Sequence, residues 1–491
     1  MTGSTALAAD AVPSADAAVA DAAPAISGPT LTLDDAIRLA LEKNQQIKVD
    51  AYGRSIARAD LLAALGKFDP SLNFRRSFSE SNAPYSANPI VGQIVQTDDY
   101  SLSLDGTTPW GLNFSLGGSA TNQRGTFINN NLDAYATFGG ITVTQPLLRG
   151  FGFGSNFLGV RIAKADRNIA DWQFRQTAID TVTNVIVAYS NLAFAQESLA
   201  IAKRSRELAA GLVAENEKRF KVGSMSRSDV TQARARMATR DESILSAQQG
   251  VRDATNGLRA LIGETEFPVV PGALNLQVPE THDLTPEPAR DLQTALNLRP
   301  DYQAARLGLV KDRANDSAAR NALLPQVDFV GSYGYDGLDR DFSVARQMVR
   351  DRAHRSYSAG VVVSVPLTFA AGRGRARSAR LQLRRDQADL GRLERDIAVR
   401  VASAAGQIDT TRQRVAADLT AYNLAKQALD DEEKKLRAAA SSTFFVLQLQ
   451  ENLAFAELGY EAALADQRRA LATYDQVLGR TLLVRPISLD M

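Results

Sequence analysis

Two hydrophobic periods alternate along this chain. Between about Asn156 and Val222 there is no proline, and apolar residues return every seven positions. Ile179, Ile186, Ala193 and Ala200 form one line, Val182 and Tyr189 a second, and Ala178, Val185, Leu192 and Leu199 a third. A later stretch repeats the pattern through Val401, Ile408, Val415, Tyr422, Leu429 and Leu436. Such a repeat predicts coiled-coil packing, and several adjacent lines make a seam wide enough for a neighbour on each side. A helix of about 67 residues rises roughly 100 Å, far beyond an ordinary globular helix. Elsewhere the period falls to two, which predicts strands. Leu72 and Phe74 alternate with polar residues, as do Leu102 and Leu104, then Leu112, Phe114 and Leu116, then Ile141 and Val143. Val327, Phe329, Gly331 and Tyr333, followed by Tyr357 to Leu367, give a second strand region. Proline opens each region (Pro70, Pro325) and closes it (Pro146, Pro366).

The two periods occur twice because the chain is duplicated. Pro70 aligns with Pro325, 255 residues on, and without a gap Ala40 and Leu41 then meet Ala295 and Leu296, Arg58 meets Arg313, and Phe74 meets Phe329. Towards the end of each half the offset is 216, where Ser226 meets Ser442, Val230 meets Val446 and Gly263 meets Gly479. The first half therefore carries extra residues between roughly 82 and 132. The expected order is a leader and signal remnant over 1–30, a first repeat over 31–263, a linker over 264–290, a second repeat over 291–479 and a tail over 480–491. Within the repeats, strands are expected over 70–146 and 325–367, and long helical hairpins over 155–263 and 372–479. Thr32 is placed to cap the first helix, with Asp34 and Asp35 in its first turn. In the leader, Ala6-Leu7-Ala8 reads as the end of a secretory cleavage motif, and the Ala-, Asp- and Pro-rich stretch after it as disordered.

Composition narrows the function. The 56 basic and 55 acidic residues nearly cancel, so the balance does not suggest a nucleic-acid partner. No cysteine is present, and the only histidines are His282 and His354, so thiolate metal sites, cysteine nucleophiles and histidine-based triads have little to build on. Gly150-Phe-Gly152-Phe-Gly154 lacks the lysine and hydroxyl residue of a phosphate-binding loop. Neither an enzymatic role nor a cofactor is expected. No run of about 18 apolar residues is seen, so a membrane role would require a closed barrel of strands. Four to six strands per chain fall short of the roughly eight that a barrel needs, so several chains would have to share one. A soluble coiled-coil scaffold explains the helices equally well but not the proline-bounded strands, and a passive porin explains the strands but not the hairpins.

Three segments decide between these readings. Leu31-Thr-Leu-Asp-Asp-Ala-Ile-Arg-Leu-Ala-Leu-Glu-Lys-Asn44, Gln145-Pro-Leu-Leu-Arg-Gly150, and Arg219-Phe-Lys-Val-Gly223-Ser-Met-Ser226-Arg-Ser-Asp229 stand in this order within a duplicated chain. Together they resemble the TolC-type outer-membrane efflux protein family, from Leu31 to about Leu483. The resemblance implies an α+β membrane protein: a homotrimer with one shared transmembrane β-barrel above a tunnel of helical hairpins, standing in the bacterial outer membrane with a large periplasmic portion. It implies a passive exit duct, with a periplasmic adaptor protein and an inner-membrane pump as partners. The alternative within the family is a conduit for type I protein secretion.

The same resemblance directs attention to the hairpin tips. Lys221, Val222, Gly223, Ser226 and Asp229 at the first tip, and Phe444, Phe445 and Gln448 at the second, are the expected gate and adaptor contact. Glycine suits the turn, and Ser226 with Asp229 suits the start of the returning helix. Family members often carry carboxylates after the second tip. Two phenylalanines and a glutamine stand there instead, which makes Asp229 the better candidate for any acidic ring. Arg373, Arg375 and Arg377 are expected near the lipid phosphates of the inner leaflet. The extra segment from Asn82 to Leu132 is expected to form an enlarged extracellular hairpin, with two additional barrel strands as the rival.

Overall fold

The long helices set the frame, and every other element is cut to fit beside them. The computed structural model describes residues 31–83, 93–127, 130–263, 274–277, 284–438 and 440–485. The expected leader, most of the linker and the end of the tail lie outside the described residues. The first half runs α1 (Leu33–Lys43), α2 (Gln45–Leu65), β1 (Ser71–Ala83), β2 (Gln93–Thr107), β3 (Asn113–Phe127), β4 (Asn130–Pro146), α3 (Phe153–Asn156), α4 (Leu158–Lys221) and α5 (Arg227–Ile262). The second runs α6 (Pro288–Leu298), α7 (Pro300–Asn321), β5 (Gln326–Asp339), α8 (Phe342–Arg350), β6 (His354–Ser364), α9 (Ala370–Arg437), α10 (Thr443–Leu478) and α11 (Thr481–Val484).

Helices α4, of 64 residues, and α9, of 68, each rise roughly 100 Å. The others fill the gaps between them. Nearer the sheet, α2 packs on α4 and α7 lies between α4 and α9; farther away, α5 and α10 flank α4, and α9 lies against α10. The heptad lines are the seams. Ile179, Val182, Val185, Tyr189 and Leu192 are buried in α4, as are Val401, Ile408, Leu429 and Leu436 in α9. By length and hydropathy one stretch of α4 would suffice to cross a bilayer, contrary to the sequence expectation. Its apolar character has another cause, since it packs against helices on both sides.

The duplication reappears where the helices meet end to end. Gly263 ends α5 in the left-handed region (φ +76°), and a Cβ there would lie 2.7 Å from the Lys43 side chain and 2.9 Å from its carbonyl oxygen. Gly479 ends α10 in the same conformation (φ +69°), with the Leu298–Arg299 backbone about 3.0 Å from its Cβ position. Each glycine lets a lower helix abut an upper one: α5 beneath the α1–α2 junction, and α10 beneath the α6–α7 junction. Side-chain hydrogen bonds hold both joints. Asn44 Nδ2 donates to Leu261 O at 2.9 Å, and Arg299 Nη1 to Val477 O at 2.9 Å. Thr32 Oγ1 accepts the Asp35 N–H at 3.2 Å and so caps α1.

The strands form one antiparallel sheet in the order β1-β2-β3-β4-β5-β6. This corrects the expectation for Asn82–Leu132. β2 and β3 pair along the length of β1 and β4 and are full members of the sheet, so the rival reading of two extra strands holds. Their turn reaches the helical end, where Gly152 N–H donates to Trp110 O at 3.0 Å. The physical reason lies in the side-chain alternation. Leu102 and Leu104 stand opposite Phe74 and Leu72, and Leu116 opposite Ile141, so one apolar face runs unbroken across the sheet. A second difference is α8, which interrupts the expected strand region of the second half.

The two faces of the sheet differ. One carries Leu72, Phe74, Leu102, Leu116, Tyr333, Tyr357 and Val361, all exposed. The other is mostly polar: Asn73 Nδ2 donates to Asp105 at 2.7 Å, Thr121 Oγ1 to Asp99 at 2.6 Å, and Ser332 and Ser358 share a hydrogen bond of 2.8 Å. Gly117, Gly140 and Gly334 lie in register across this polar face. A Cβ at any of them would collide with the backbone of the adjacent strand, so only glycine fits where the strands approach this closely.

These joints give a paired stability test. Gly263→Val should lower the midpoint of unfolding, by about 1–3 kcal/mol, because it combines positive φ with a clash against Lys43. Gly257→Ala, where a Cβ meets nothing within 4 Å, should raise stability by roughly 0.5–1 kcal/mol. Circular dichroism of thermal unfolding would show the two midpoints moving in opposite directions.

Candidate functional site: the hairpin tips

The first tip is built by helix-end chemistry. α4 stops at Lys221, and Gly223 takes φ +76°. Ser224 N–H then donates back to Arg219 O at 2.9 Å and Gly223 N–H to Phe220 O at 3.0 Å, which satisfies carbonyls that the helix end would leave bare. Ser226 starts α5 with a full capping box: its hydroxyl accepts the Asp229 N–H at 3.2 Å, and the Asp229 carboxylate accepts the Ser226 N–H at 3.3 Å. Asp229 is therefore committed to the turn. Val222 is 78% exposed and packs on nothing in the chain.

The second tip is chemically different. Ser442 stands at the cap of α10, but its side chain caps nothing. The turn is tied instead to the end of α9, where the Ser441 hydroxyl and the Lys435 ammonium both donate to Glu432. These contacts hold the Glu432 carboxyl below its usual range, the Ser441 hydrogen bond being the larger cause. Glu432 thus keeps its charge through neutral and mildly acidic pH, and the tie is lost only as pH falls through the lowered value. Phe444 and Phe445 sit in the first turn of α10, edge to face with ring centroids 5.7 Å apart, 49% and 56% exposed. Gln448 is exposed one turn on. Within the chain these phenylalanines cover no core.

The two hairpins touch just above their tips. Asn216 of α4 is fully buried and accepts the Thr443 hydroxyl at 3.4 Å, while Arg219 Nη1 reaches Leu436 O at 3.4 Å. Leu212, Leu429, Leu436, Val446 and Leu447 close the contact. A groove of about 710 Å³ opens beside it, walled by Arg204, Leu208, Glu215 and Arg219 on one side and Glu433 and Arg437 on the other. Sequence reading named both tips but missed this seam. Its signal was the heptad line of α9, whose last members Leu429 and Leu436 lie in this seam.

Arg373, Arg375 and Arg377 occupy the first turns of α9, close to the sheet, and all are exposed. Helical spacing brings Arg373 and Arg377 together on one side and turns Arg375 away. Among the described residues no group of three or more His, Asp or Glu side chains is arranged to hold a metal ion.

A family model described as outer membrane efflux protein matches residues 36–264 and 292–480. The outer membrane efflux protein BepC of Brucella suis is 24% identical over 383 residues, covering 76% of this chain and 77% of that protein. Among solved structures, the Campylobacter jejuni CmeC outer membrane channel superposes with a TM-score of 0.69 at 16% identity, over 91% of this chain and 86% of that one. The open state of the Neisseria gonorrhoeae MtrE outer membrane channel gives 0.66 at 17% identity, over 92% and 89%. At such identities the structural likeness establishes the fold.

The unlike tips predict unlike responses. Ser226→Ala should cost about 1 kcal/mol of local stability and speed amide hydrogen exchange in the first turn of α5. Ser442→Ala, which removes no cap, should leave exchange at the start of α10 as it was.

Proposed function

The chain belongs to the outer membrane efflux protein family, and from that premise we propose that three copies close one barrel and one tunnel, sealed at the periplasmic end by the hairpin tips. The protein is an outer-membrane efflux channel, with the sheet in the membrane and the helices in the periplasm. One observation carries the proposal: the sheet has two free edges, β1 and β6, and an exposed apolar face. A strand edge in lipid leaves backbone donors and acceptors without partners, so the edges must be paired by other copies. Six strands are too few to close alone. Three copies of six give eighteen. Along β5 the apolar stretch from Val327 to Tyr335 runs about 27 Å, which at a barrel's tilt of about 40° spans roughly 21 Å of membrane, near the roughly 25 Å of a barrel's outward band.

The polar face then lines the pore, and the hairpins continue it as a ring. Three copies bring six tips together, alternating between the capped Gly223–Asp229 turn and the Phe444–Phe445 pair. Narrow apolar rings resist wetting, so the phenylalanines, exposed within one chain, are suited to seal the opening. The groove between α4 and α9 suits docking of a periplasmic adaptor, which would couple the tunnel to an inner-membrane pump. Arg373 and Arg377 face the inner leaflet, where phosphates suit guanidinium groups. The protein conducts cargo and carries out no chemical step.

Two measurements test this. Native mass spectrometry in detergent should show a homotrimer; a stable, folded monomer would refute the shared barrel. In planar bilayers Phe445→Ser should raise the conductance of the isolated assembly, as should Asp229→Ala. Asp229→Asn, which keeps a cap acceptor, separates loss of charge from loss of the cap. If all three conduct and export like the parent, the constriction lies elsewhere in the tunnel.

A further inference from the structure

Channel function does not require α8, yet the sheet is shaped to receive it. The helix lies in the β5–β6 connection, at the end of the sheet away from the long helices. It packs on the face that carries the apolar band. Thr137 Oγ1 donates to Ala345 O at 3.0 Å, and the Phe342 ring meets that of Tyr135 at 5.7 Å. The strands give way with glycine beneath it: a Cβ at Gly337 would strike the Ala345 backbone, and one at Gly139 would lie 2.7 Å from Val349. The seat fixes the helix flat on the wall. Away from the wall α8 presents Arg346 and Arg350, four residues apart and both exposed.

We propose that α8 and its flanking arginines bind phosphate-bearing lipid headgroups of the outer leaflet. The inference rests on reading the sheet as a membrane barrel wall. Three observations favour a lipid phosphate. First, the level is right. At the upper edge of the apolar band Arg76 stacks over Tyr100 at 5.3 Å, Arg352 over Tyr335 at 6.0 Å, and Arg355, in register with Tyr335, over Tyr357 at 5.5 Å. Tyrosines gather at the interface between hydrocarbon and headgroups. Second, the charges are uncommitted. Arg340, Arg346, Arg350, Arg352 and Arg355 form no ion pair among the described residues. The nearby carboxylates are largely spent: Asp341 accepts from the N–H and hydroxyl of Ser343, Asp339 accepts the Asp341 N–H, and Asp98 pairs with Arg124. Asp351, at the C-cap of α8, and Asp133, on β4 two residues before Tyr135, have no side-chain hydrogen bond or ion pair among the described residues. Third, α8 runs down the wall along β4, from Tyr135 through Thr137 to Gly139, and carries exposed arginines to the upper edge of the apolar band, where the guanidinium fork matches phosphate.

The test uses the full chain, purified in detergent and placed in phosphatidylcholine nanodiscs. The probes are lipid A with both phosphates and the same lipid dephosphorylated, with bound lipids counted by native mass spectrometry. The parent should retain the phosphorylated lipid at least about tenfold better than the dephosphorylated one. Arg346→Gln/Arg350→Gln should lose most of that preference, with its oligomeric state and its melting in lipid-free detergent unchanged. Equal uptake of both lipids by the parent, or an undiminished preference in the variant, overturns the proposal. So does a change of oligomeric state in the variant, which would make the arginines subunit contacts. Insertion without a preference removes the lipid site alone, whereas failure to insert at all removes the barrel reading as well.

Discussion

A hydrogen bond that a single chain cannot make governs this molecule. Each strand of the sheet satisfies its neighbours, but β1 and β6 each turn a row of N–H and C=O groups outward. Water would solvate those groups; hydrocarbon cannot, and each one left bare costs several kcal/mol. The apolar face across all six strands places the sheet where that penalty applies. The proposed closure by further copies rests on this constraint, and with it comes the need for helices that also tile a curved wall. The helices meet that need with seams on two sides. α4 is buried against α5 and α10 along one stretch and against α2 and α7 along another.

The helical layer resolves a length mismatch. α2 and α5 together match α4, and α7 and α10 match α9, so each long helix is faced by a broken one. The breaks fall at Gly263 and Gly479 and coincide with two clusters of buried apolar residues. Ala40, Leu258 and Ile262 are buried at the first, and Ala295, Tyr474 and Leu478 at the second. These are equivalent positions of the duplication, so the core has stayed symmetric. The tips have not: one keeps a capping box, the other a pair of exposed rings. Symmetry survives where the halves must pack alike and lapses where they meet something else.

Much of this was legible in the sequence, for identifiable reasons. The heptad lines named Ile179, Val182, Val185, Val401 and Ile408 because a buried seam admits few residue types. Thr32, Ser226 and Asp229 were legible because helix starts have a narrow chemistry. The strand count was misjudged because an alternating segment looks the same in a barrel wall as in a hairpin standing above it. Only register tells them apart, and register here comes from Leu102 and Leu116 lining up with Phe74 and Ile141. The helix α8 was hidden for another reason. Its nine residues, with Phe342, Ala345, Met348 and Val349 on one side, are short and sit inside an alternating strand region, and the signal for its place lay in its seat, at Gly139 and Gly337.

The added β2–β3 pair carries one more consequence, which concerns counting. A strand inserted singly would deliver the chain to the opposite side of the membrane, leaving α4 and α5 outside the cell. It would also reverse the direction of every later strand, so in the proposed assembly the last edge could no longer meet the first edge of another copy antiparallel. Growth by whole hairpins escapes both problems. Such a wall can widen only in steps of two strands per chain, and each step leaves the helical machinery, its joints and its tips facing the way they did before.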